Sequence, residues 1–217
     1  MFQYNPQEAV AHLRQADAHL NHLIDLVGDF TLEIAPISSP YEALARSIVY
    51  QQLSGKAAGT IYGRFRGLYS ANAHPTPQEV LNTPFETLRS VGLSNNKTKA
   101  ILDLAQKTAD GHLPDLMQIQ QMPDDDVKSA LCAVRGIGPW TVEMMLIFSL
   151  GRADVMPSTD LGVQKGCQKT FGLAELPTPK ALMEMSEPWK PFRSVAAWYF
   201  WRSLELGEIP PQRYQIP

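Results

Sequence analysis

One carboxylate, Asp160, has the residue type and the setting for chemistry at the start of a helix. It follows the segment 157–159, and helical periodicity runs from there through Val163 toward Phe171. The positive end of a helix dipole favours the ionised form of a carboxylate at this place. Such an anion can stabilise a developing positive charge or take a proton from a water molecule. The alternative is an ordinary N-cap, the commonest use of an aspartate there. Asp154, the nearest rival, is assigned a structural role.

The segment VRGIGPWTV at 134–142 places Gly136 and Gly138 between two helical stretches. The glycines permit a sharp hairpin and the close approach of a partner. A proline at the first helical position then leaves the amides of the hairpin, Trp140 and Thr141 pointing outward. Unpaired amides at a helix start bind an anion such as a backbone phosphate, and they need little positive charge. The alternative is an ordinary turn between two helices, in which the glycines only mark the helix ends.

Charge is distributed unevenly along a chain whose formal net charge is −3. The segment 46–107 holds eight basic and three acidic side chains, so it carries +5 while the remainder carries −8. The overall charge does not by itself suggest a polyanion as partner, but a basic segment can attract one.

The two cysteines, Cys132 and Cys167, form neither a disulfide framework nor a metal-cluster pattern. The first residues show no secretory signal, and no apolar run reaches membrane-spanning length. We therefore expect a reduced protein inside the cell. It would lie in the cytoplasm with the nucleoid if the source is bacterial, and in the nucleus if the source is eukaryotic.

Helix start signals dominate the chain. Four segments combine a capping side chain, a proline at the first helical position and a glutamate that can reach back to the cap. They begin at Asn5, Ser39, Thr76 and Thr83. Glycines that follow periodic segments supply stop signals, namely Gly28, Gly111, Gly151, Gly172 and Gly207. Alternation of period two occurs only in 30–34, so the sequence predicts an all-α fold of roughly ten helices.

Four segments together resemble the helix-hairpin-helix DNA glycosylases, in particular the alkylpurine (3-methyladenine) DNA glycosylase II branch. They read IVYQQLSGKAA, VRGIGPWTVEMM, DVMPSTDLGVQKG and KPFRSVAAWYFW, and the resemblance covers roughly residues 39–206. It implies a single all-α domain over 1–217, built of two helical subdomains with a DNA-binding cleft between them. Subdomain A would be about 39–148, with the hairpin, and subdomain B about 1–38 plus 149–217. Larger bacterial members carry an additional N-terminal β domain, for which this sequence lacks room.

The resemblance implies a monofunctional hydrolase of base excision repair. It would cleave the N-glycosidic bond of flipped alkylated purines such as 3-methyladenine and 7-methylguanine. Asp160 would stabilise the oxocarbenium character of the sugar; many relatives carry a second acid where this chain has Thr159. Relatives that also cut the backbone place a lysine where this chain has Trp140, so no lyase step is expected. The alternative is a non-catalytic or attenuated module of the same fold that binds damaged DNA.

By the same resemblance, Trp201 is the aromatic residue of a base pocket, with Trp140, Met144 and Tyr199 as further wall candidates. Aromatic faces bind N-methylated purines by stacking and by cation–π attraction. Each of these side chains could instead belong to a core, and Trp198 is expected to do so.

A flipped base leaves a gap in the duplex, and relatives fill it with an inserted side chain from a turn between two helices. The candidates here are Gln52, Leu53, Ser54 and Leu93. Leu53 is the apolar candidate and Ser54 would plug poorly, while core packing is the alternative for both leucines. Contacts with the DNA backbone are expected from Gly136, Ile137, Gly138, Trp140, Thr141, Lys97 and Lys99. A solvated surface is the alternative for the two lysines.

No cofactor is expected to be required. In relatives, backbone carbonyls at the positions of Cys132, Val134 and Ile137 hold a structural Na⁺ or K⁺ that orients the hairpin. Iron–sulfur relatives have four cysteines near the C-terminus, and this chain has none after Cys167, so no such cluster is expected. The expected partner is double-stranded DNA containing damaged bases, bound by a monomer with no membrane association.

Overall fold

The computed structural model describes residues 1–69 and 74–207. All regular structure in these two ranges is helical, which confirms the all-α prediction. The helices are α1 Pro6–Ala16, α2 Ala18–Val27, α3 Pro40–Tyr50, α4 Gly55–Arg66, α5 Pro77–Leu81, α6 Phe85–Ser90, α7 Asn95–Ala109, α8 Leu116–Gln121, α9 Asp124–Cys132, α10 Pro139–Phe148, α11 Leu161–Phe171, α12 Pro179–Met185 and α13 Arg193–Ser203, with a 3-10 turn at Glu187–Trp189. None of the helices in the described ranges is long and apolar enough to cross a bilayer.

The start signals explain where three of these helices begin. Asn5 and Ser39 cap α1 and α3 through their side chains. Thr76 forms a capping box at α5, in which the Glu79 carboxylate accepts a hydrogen bond from the backbone amide of Thr76. The fourth expectation is wrong, because Pro84 occupies the cap of α6 and cannot supply a side-chain acceptor. The Thr83 hydroxyl donates instead to the carbonyl of Glu79, at 2.7 Å.

The chain forms two compact units. One, here called the discontinuous unit, comprises Met1–Pro36 and Glu143–Pro217, and the other, the continuous unit, comprises Ile37–Val142. Helix α10 begins in the continuous unit and ends in the discontinuous one. The sequence-based boundaries, about 39–148 and 1–38 plus 149–217, assign all of this helix to one part.

The discontinuous unit packs α1, α2, α11 and α13 around one apolar core. Its largest fully buried side chains are Trp189, Tyr199, Phe200, Leu13, Leu20, Leu23 and Ile24. Helices α11 and α13 approach each other closely because Gly166 has no side chain. A Cβ at that position would lie 2.6 Å from the carbonyl carbon of Phe200. This contact fixes the distance between the two helices that carry Asp160 and Trp201.

The continuous unit packs α3, α4, α5 and α6 with α7 at the centre. Its buried side chains include Leu44, Ile48, Phe65, Leu88, Ile101 and Leu104. The hairpin between α9 and α10 belongs to this unit. Val134 and Ile137 are almost completely buried, and they hold the hairpin to it.

Candidate active site

Asp160 is the N-cap of α11, as the local sequence pattern suggests. Its Oδ1 atom accepts a hydrogen bond from the backbone amide of Val163 at 2.8 Å. The same oxygen accepts a second hydrogen bond, from the indole Nε1 of Trp201, also at 2.8 Å. Hydrogen bonds to an ionised oxygen are stronger than neutral ones and fix geometry. The carboxylate is therefore held in one orientation at the positive end of a helix, in a half-buried place.

Trp201 lies beside this carboxylate on the last turns of α13. Its ring packs on Phe148, with 5.4 Å between centroids and an interplanar angle of 32°. Sequence reasoning missed Phe148. The available signal was its spacing of four residues from Met144 on α10, because such pairs share a helix face. Met144 itself is partly buried.

Tyr199 does not fit the role of a pocket wall. Its side chain is fully buried, and its hydroxyl donates to the carbonyl of Gly28 at 3.1 Å. Burial raises the pKa of this phenol to about 12. The prediction is wrong because the segment 194–200 of α13 is buried all around, so only the end of the helix reaches the surface. Trp198 is 6% exposed, in the core as expected.

The hairpin supplies fewer free amides than the sequence suggests. The amide of Ile137 donates to the carbonyl of Val134 at 3.1 Å, and the amide of Thr141 donates to Gly138 at 3.0 Å. The prediction for these two amides is wrong, because turn-type bonds close the hairpin and the first turn of α10. Across residues 1–69 and 74–207, the amides of Gly136 and Gly138 have no protein acceptor. These two amides remain available for an anion. Gly136 has φ of +78°, which explains the glycine there.

Two side chains hold the hairpin from within the continuous unit. The side-chain amide of Gln51 donates to the carbonyl of Gly136 at 2.8 Å. The carboxylate of Asp103 accepts from the backbone amide of Arg135 at 2.7 Å. Burial favours the neutral form of Asp103, but hydrogen bonds from Arg135 and Lys107 outweigh it, so the pKa of this carboxyl lies below its usual value. The local sequence around Gln51 gives no signal for this role, because its partner lies 85 positions away.

The turn between α3 and α4 presents three of the insertion candidates. Gln52 has φ of +57°, a conformation that costs a residue other than glycine about 1–3 kcal/mol. Leu53 is 40% exposed, and Ser54 caps α4 through its hydroxyl. The hydrogen bond from Gln51 to Gly136 links this strained turn to the hairpin, and both belong to the continuous unit.

Leu93 is not available for insertion, because it is only 2% exposed and belongs to the core of the continuous unit. A buried side chain cannot reach a gap in a base stack without disrupting that core. The core alternative is therefore the correct one for Leu93. Local sequence did not decide this, since Leu93 lies in a turn segment similar to that of Leu53.

Lys97 does not project toward a phosphate. Its ammonium group donates to the backbone carbonyls of Val49 and Gln51, both at 2.8 Å. These carbonyls lie at the end of α3, where a lysine commonly satisfies the last helical acceptors. Desolvation lowers the pKa of Lys97. The phosphate prediction for this residue is thus corrected to a structural role, whereas Lys99 is exposed.

Replacement of Lys97 by methionine is expected to lower the free energy of unfolding by about 1–3 kcal/mol, because two carbonyls lose a charged donor. The matched change Lys99→Met is expected to alter stability by less than about 0.5 kcal/mol. It should instead reduce the salt dependence of DNA binding by about one phosphate contact. Urea unfolding and binding titrations at several salt concentrations measure both effects. A reduced salt dependence in Lys97→Met at unchanged stability would contradict this assignment.

The ligands of the monovalent cation that the resemblance implies would be three backbone carbonyls, those of Cys132, Val134 and Ile137. A carbonyl oxygen has two lone pairs, and that of Val134 already accepts one hydrogen bond, from Ile137. One lone pair of Val134 therefore suits a cation, and uncharged oxygens are suitable ligands for Na⁺ or K⁺. Within the described parts of the chain, no group of three or more His, Cys, Asp or Glu side chains forms a metal site.

Residues 45–191 match the family described as HhH-GPD superfamily base excision DNA repair protein. The chain is 36% identical over 202 residues to DNA-3-methyladenine glycosylase 1 of Schizosaccharomyces pombe, a match that spans 93% of this chain and 89% of that protein.

Two solved structures share its fold at similar identity. The 3-methyladenine DNA glycosylase Mag1 of S. pombe, in complex with abasic DNA, has a TM-score of 0.81 and 35% identity over 94% of this chain and 99% of that one. A DNA-3-methyladenine glycosidase of Bacillus halodurans has a TM-score of 0.82 and 33% identity, over 94% and 91% of the two chains. The chain therefore belongs to the HhH-GPD superfamily of base excision DNA repair proteins.

Proposed function

We propose that this chain is a DNA glycosylase that removes alkylated purines, such as 3-methyladenine and 7-methylguanine, from duplex DNA in base excision repair. The observation that carries the proposal is the Asp160 carboxylate, which two N–H donors hold at the start of α11 beside the Trp201 indole. The names of the relatives support the class of substrate.

The reaction needs one anion at the sugar. The bond between C1′ and the purine nitrogen breaks, its electron pair leaves with the base, and positive charge develops on the sugar. An N-methylated purine already carries positive charge, so it leaves as a neutral base. Asp160 stabilises the sugar cation by its negative charge and accepts the proton of the water that adds to C1′. The products are the free base and an abasic site.

Aromatic side chains select the leaving base. A positively charged purine binds well to the face of an indole. Trp201 offers such a face next to Asp160, and its ring packs against Phe148. Trp140 is 47% exposed on the first turn of α10, so its indole is accessible to DNA.

The continuous unit binds the DNA backbone. The free amides of Gly136 and Gly138 bind one phosphate, and Lys99 provides an exposed positive charge near another. A monovalent cation on the carbonyls of Cys132, Val134 and Ile137 would steady the hairpin in this role. The exposed turn that contains Gln52 and Leu53 fills the gap left by the flipped base. The partner is damaged double-stranded DNA, bound by a monomer.

No step of the reaction cuts the strand. A lyase step requires an amine that forms a Schiff base with C1′, and the indole of Trp140 occupies the place where strand-cutting relatives have a lysine. The enzyme therefore leaves the abasic site intact, and cleavage of the strand there needs added alkali.

The test is incubation of the protein with duplex DNA that carries radiolabelled N-methylpurines. We expect the release of free methylated base, which chromatography measures. We expect strand breaks only after treatment with hot alkali. Strand breaks without alkali would refute the monofunctional assignment. Tight binding to duplex DNA with a stable abasic-site analogue, without base release, would favour the non-catalytic binding module instead.

A further inference from the structure

Gly162, the second residue of α11, has a helical backbone conformation and is absent from the residues with positive φ. Its backbone would therefore accept an alanine. Glycine weakens a helix relative to alanine, because it loses more conformational freedom on folding. The presence of glycine at this position is therefore explained by the atoms that surround it and not by its backbone conformation.

The space beside Gly162 is filled by the two side chains of the candidate site. A Cβ atom there would lie 2.9 Å from Cδ1 and 3.1 Å from Nε1 of Trp201, and 3.0 Å from Oδ1 of Asp160. These atoms include the donor and the acceptor of the hydrogen bond between the indole and the carboxylate. Gly63 in α4 has no atom within 4 Å of an added Cβ, so crowding is not a general property of glycines in these helices.

A Cβ added at Gly162 must displace one of its neighbours. Helices α11 and α13 cannot shift freely, because Gly166 and the backbone of Phe200 are in direct contact. The Trp201 ring packs against Phe148. The indole side chain is the part with rotational freedom, so it is the part that a Cβ on Gly162 would displace. Its displacement would remove the N–H donor from Oδ1.

We propose that Gly162 is a positioning residue of the glycosylase: its missing side chain lets the Trp201 indole lie against the start of α11 and hold the Asp160 carboxylate in its working orientation. The inference rests on the proposed function of Asp160. It predicts a loss in the chemical step, because a carboxylate that has lost a donor adopts other orientations. It predicts little change in DNA affinity, since the indole N–H donates to Asp160 and the groups proposed to bind the DNA backbone lie elsewhere, at the hairpin and Lys99.

The variants Gly162→Ala, Trp201→Phe and their combination test this inference. Phenylalanine keeps an aromatic ring and removes the N–H donor. Single-turnover base release is expected to fall about 10- to 100-fold in Gly162→Ala. Affinity for duplex DNA with an abasic-site analogue should stay within about twofold, and the midpoint of thermal unfolding should fall no further than in Trp201→Phe, because both variants lose the hydrogen bond to Oδ1. The matched control Gly63→Ala should leave the release rate unchanged.

The combined variant gives the sharpest outcome. If Gly162 acts through the indole N–H, the alanine should cause no further loss in the Trp201→Phe background, because the two changes remove one interaction. Full release by Gly162→Ala, or losses that multiply in the combined variant, would overturn the inference. A lower unfolding midpoint in Gly162→Ala than in Trp201→Phe would also overturn it, because the helix pair and not only the indole would then have moved.

A second readout does not depend on activity. The chain has four tryptophans, so ¹⁵N-labelled protein gives few indole N–H signals, and the Trp201 signal is assigned by its loss in Trp201→Phe. It should move in Gly162→Ala and stay in Gly63→Ala. If the wild type releases no base while this signal moves, the proposed function fails and the contact stands. If base is released and the signal does not move, the role of Gly162 fails alone.

Discussion

Replacement of Asp160 by asparagine is expected to slow the release of N-methylated purines by about 10²- to 10³-fold while the fold stays intact. Asparagine is as good an N-cap as aspartate. Its side-chain oxygen can still accept hydrogen bonds from the Val163 amide and the Trp201 indole, which the carboxylate accepts at 2.8 Å each. The substitution thus removes the charge and keeps the geometry. Single-turnover release from methylated duplex DNA and the midpoint of thermal unfolding measure the two properties separately.

Asp154 provides the matched control, because it is another partly buried carboxylate of the same unit. It pairs with the guanidinium of Arg193 at 2.6 and 2.9 Å. Asp154→Asn is expected to lower the free energy of unfolding by about 1–3 kcal/mol, since it weakens a charged hydrogen-bonded pair, and to keep the release rate below the unfolding temperature. Equal release by wild type and Asp160→Asn would remove Asp160 from the mechanism.

Replacement of Gly166 by alanine should have the largest effect on stability. Its Cβ would lie 2.6 Å from the carbonyl carbon and 2.7 Å from the Cβ of Phe200. Backbone atoms cannot rotate away as a flexible side chain can, so α11 and α13 must separate. Overpacking of this kind costs about 3 kcal/mol, or a fall of about 6–12 °C in Tm for a chain of this size. Base release should fall too, because the two helices carry Asp160 and Trp201.

The control for Gly166→Ala is Gly63→Ala, in the interior of α4. No atom lies within 4 Å of a Cβ at Gly63, and the backbone is helical there. Alanine is expected to raise stability by about 0.5–1 kcal/mol at such a position. Thermal and urea unfolding measure both variants. An unchanged Tm in Gly166→Ala would mean that the two helices are not held at the distance described.

Local pattern was enough for the all-helical class, for three helix starts and for the place of Asp160. The caps at Asn5, Ser39 and Thr76 act within one helical turn, so a few consecutive residues determine them. The same holds for Asp160 as N-cap of α11 and for the turn at Gly136, where φ is positive. Segment resemblance then pointed to the superfamily that residues 45–191 match.

Local pattern was not enough to decide which side chains reach the surface. Tyr199 and Trp201 are two residues apart on α13, and only the packing of other helices around 194–200 buries the first. Lys97 and Lys99 look alike in sequence, yet only Lys97 donates hydrogen bonds to the carbonyls at the end of α3.

The sequence by itself determined the all-helical class, the hairpin and the carboxylate at a helix start, because these depend on residues close together in the chain. Only the tertiary structure decided that Leu93 is core, that Gln51 holds the hairpin, and that Gly162 leaves space for the Trp201–Asp160 hydrogen bond. Burial and contact depend on residues far apart in sequence. The 41 positions that separate Asp160 from Trp201 are bridged only when α11 and α13 pack together.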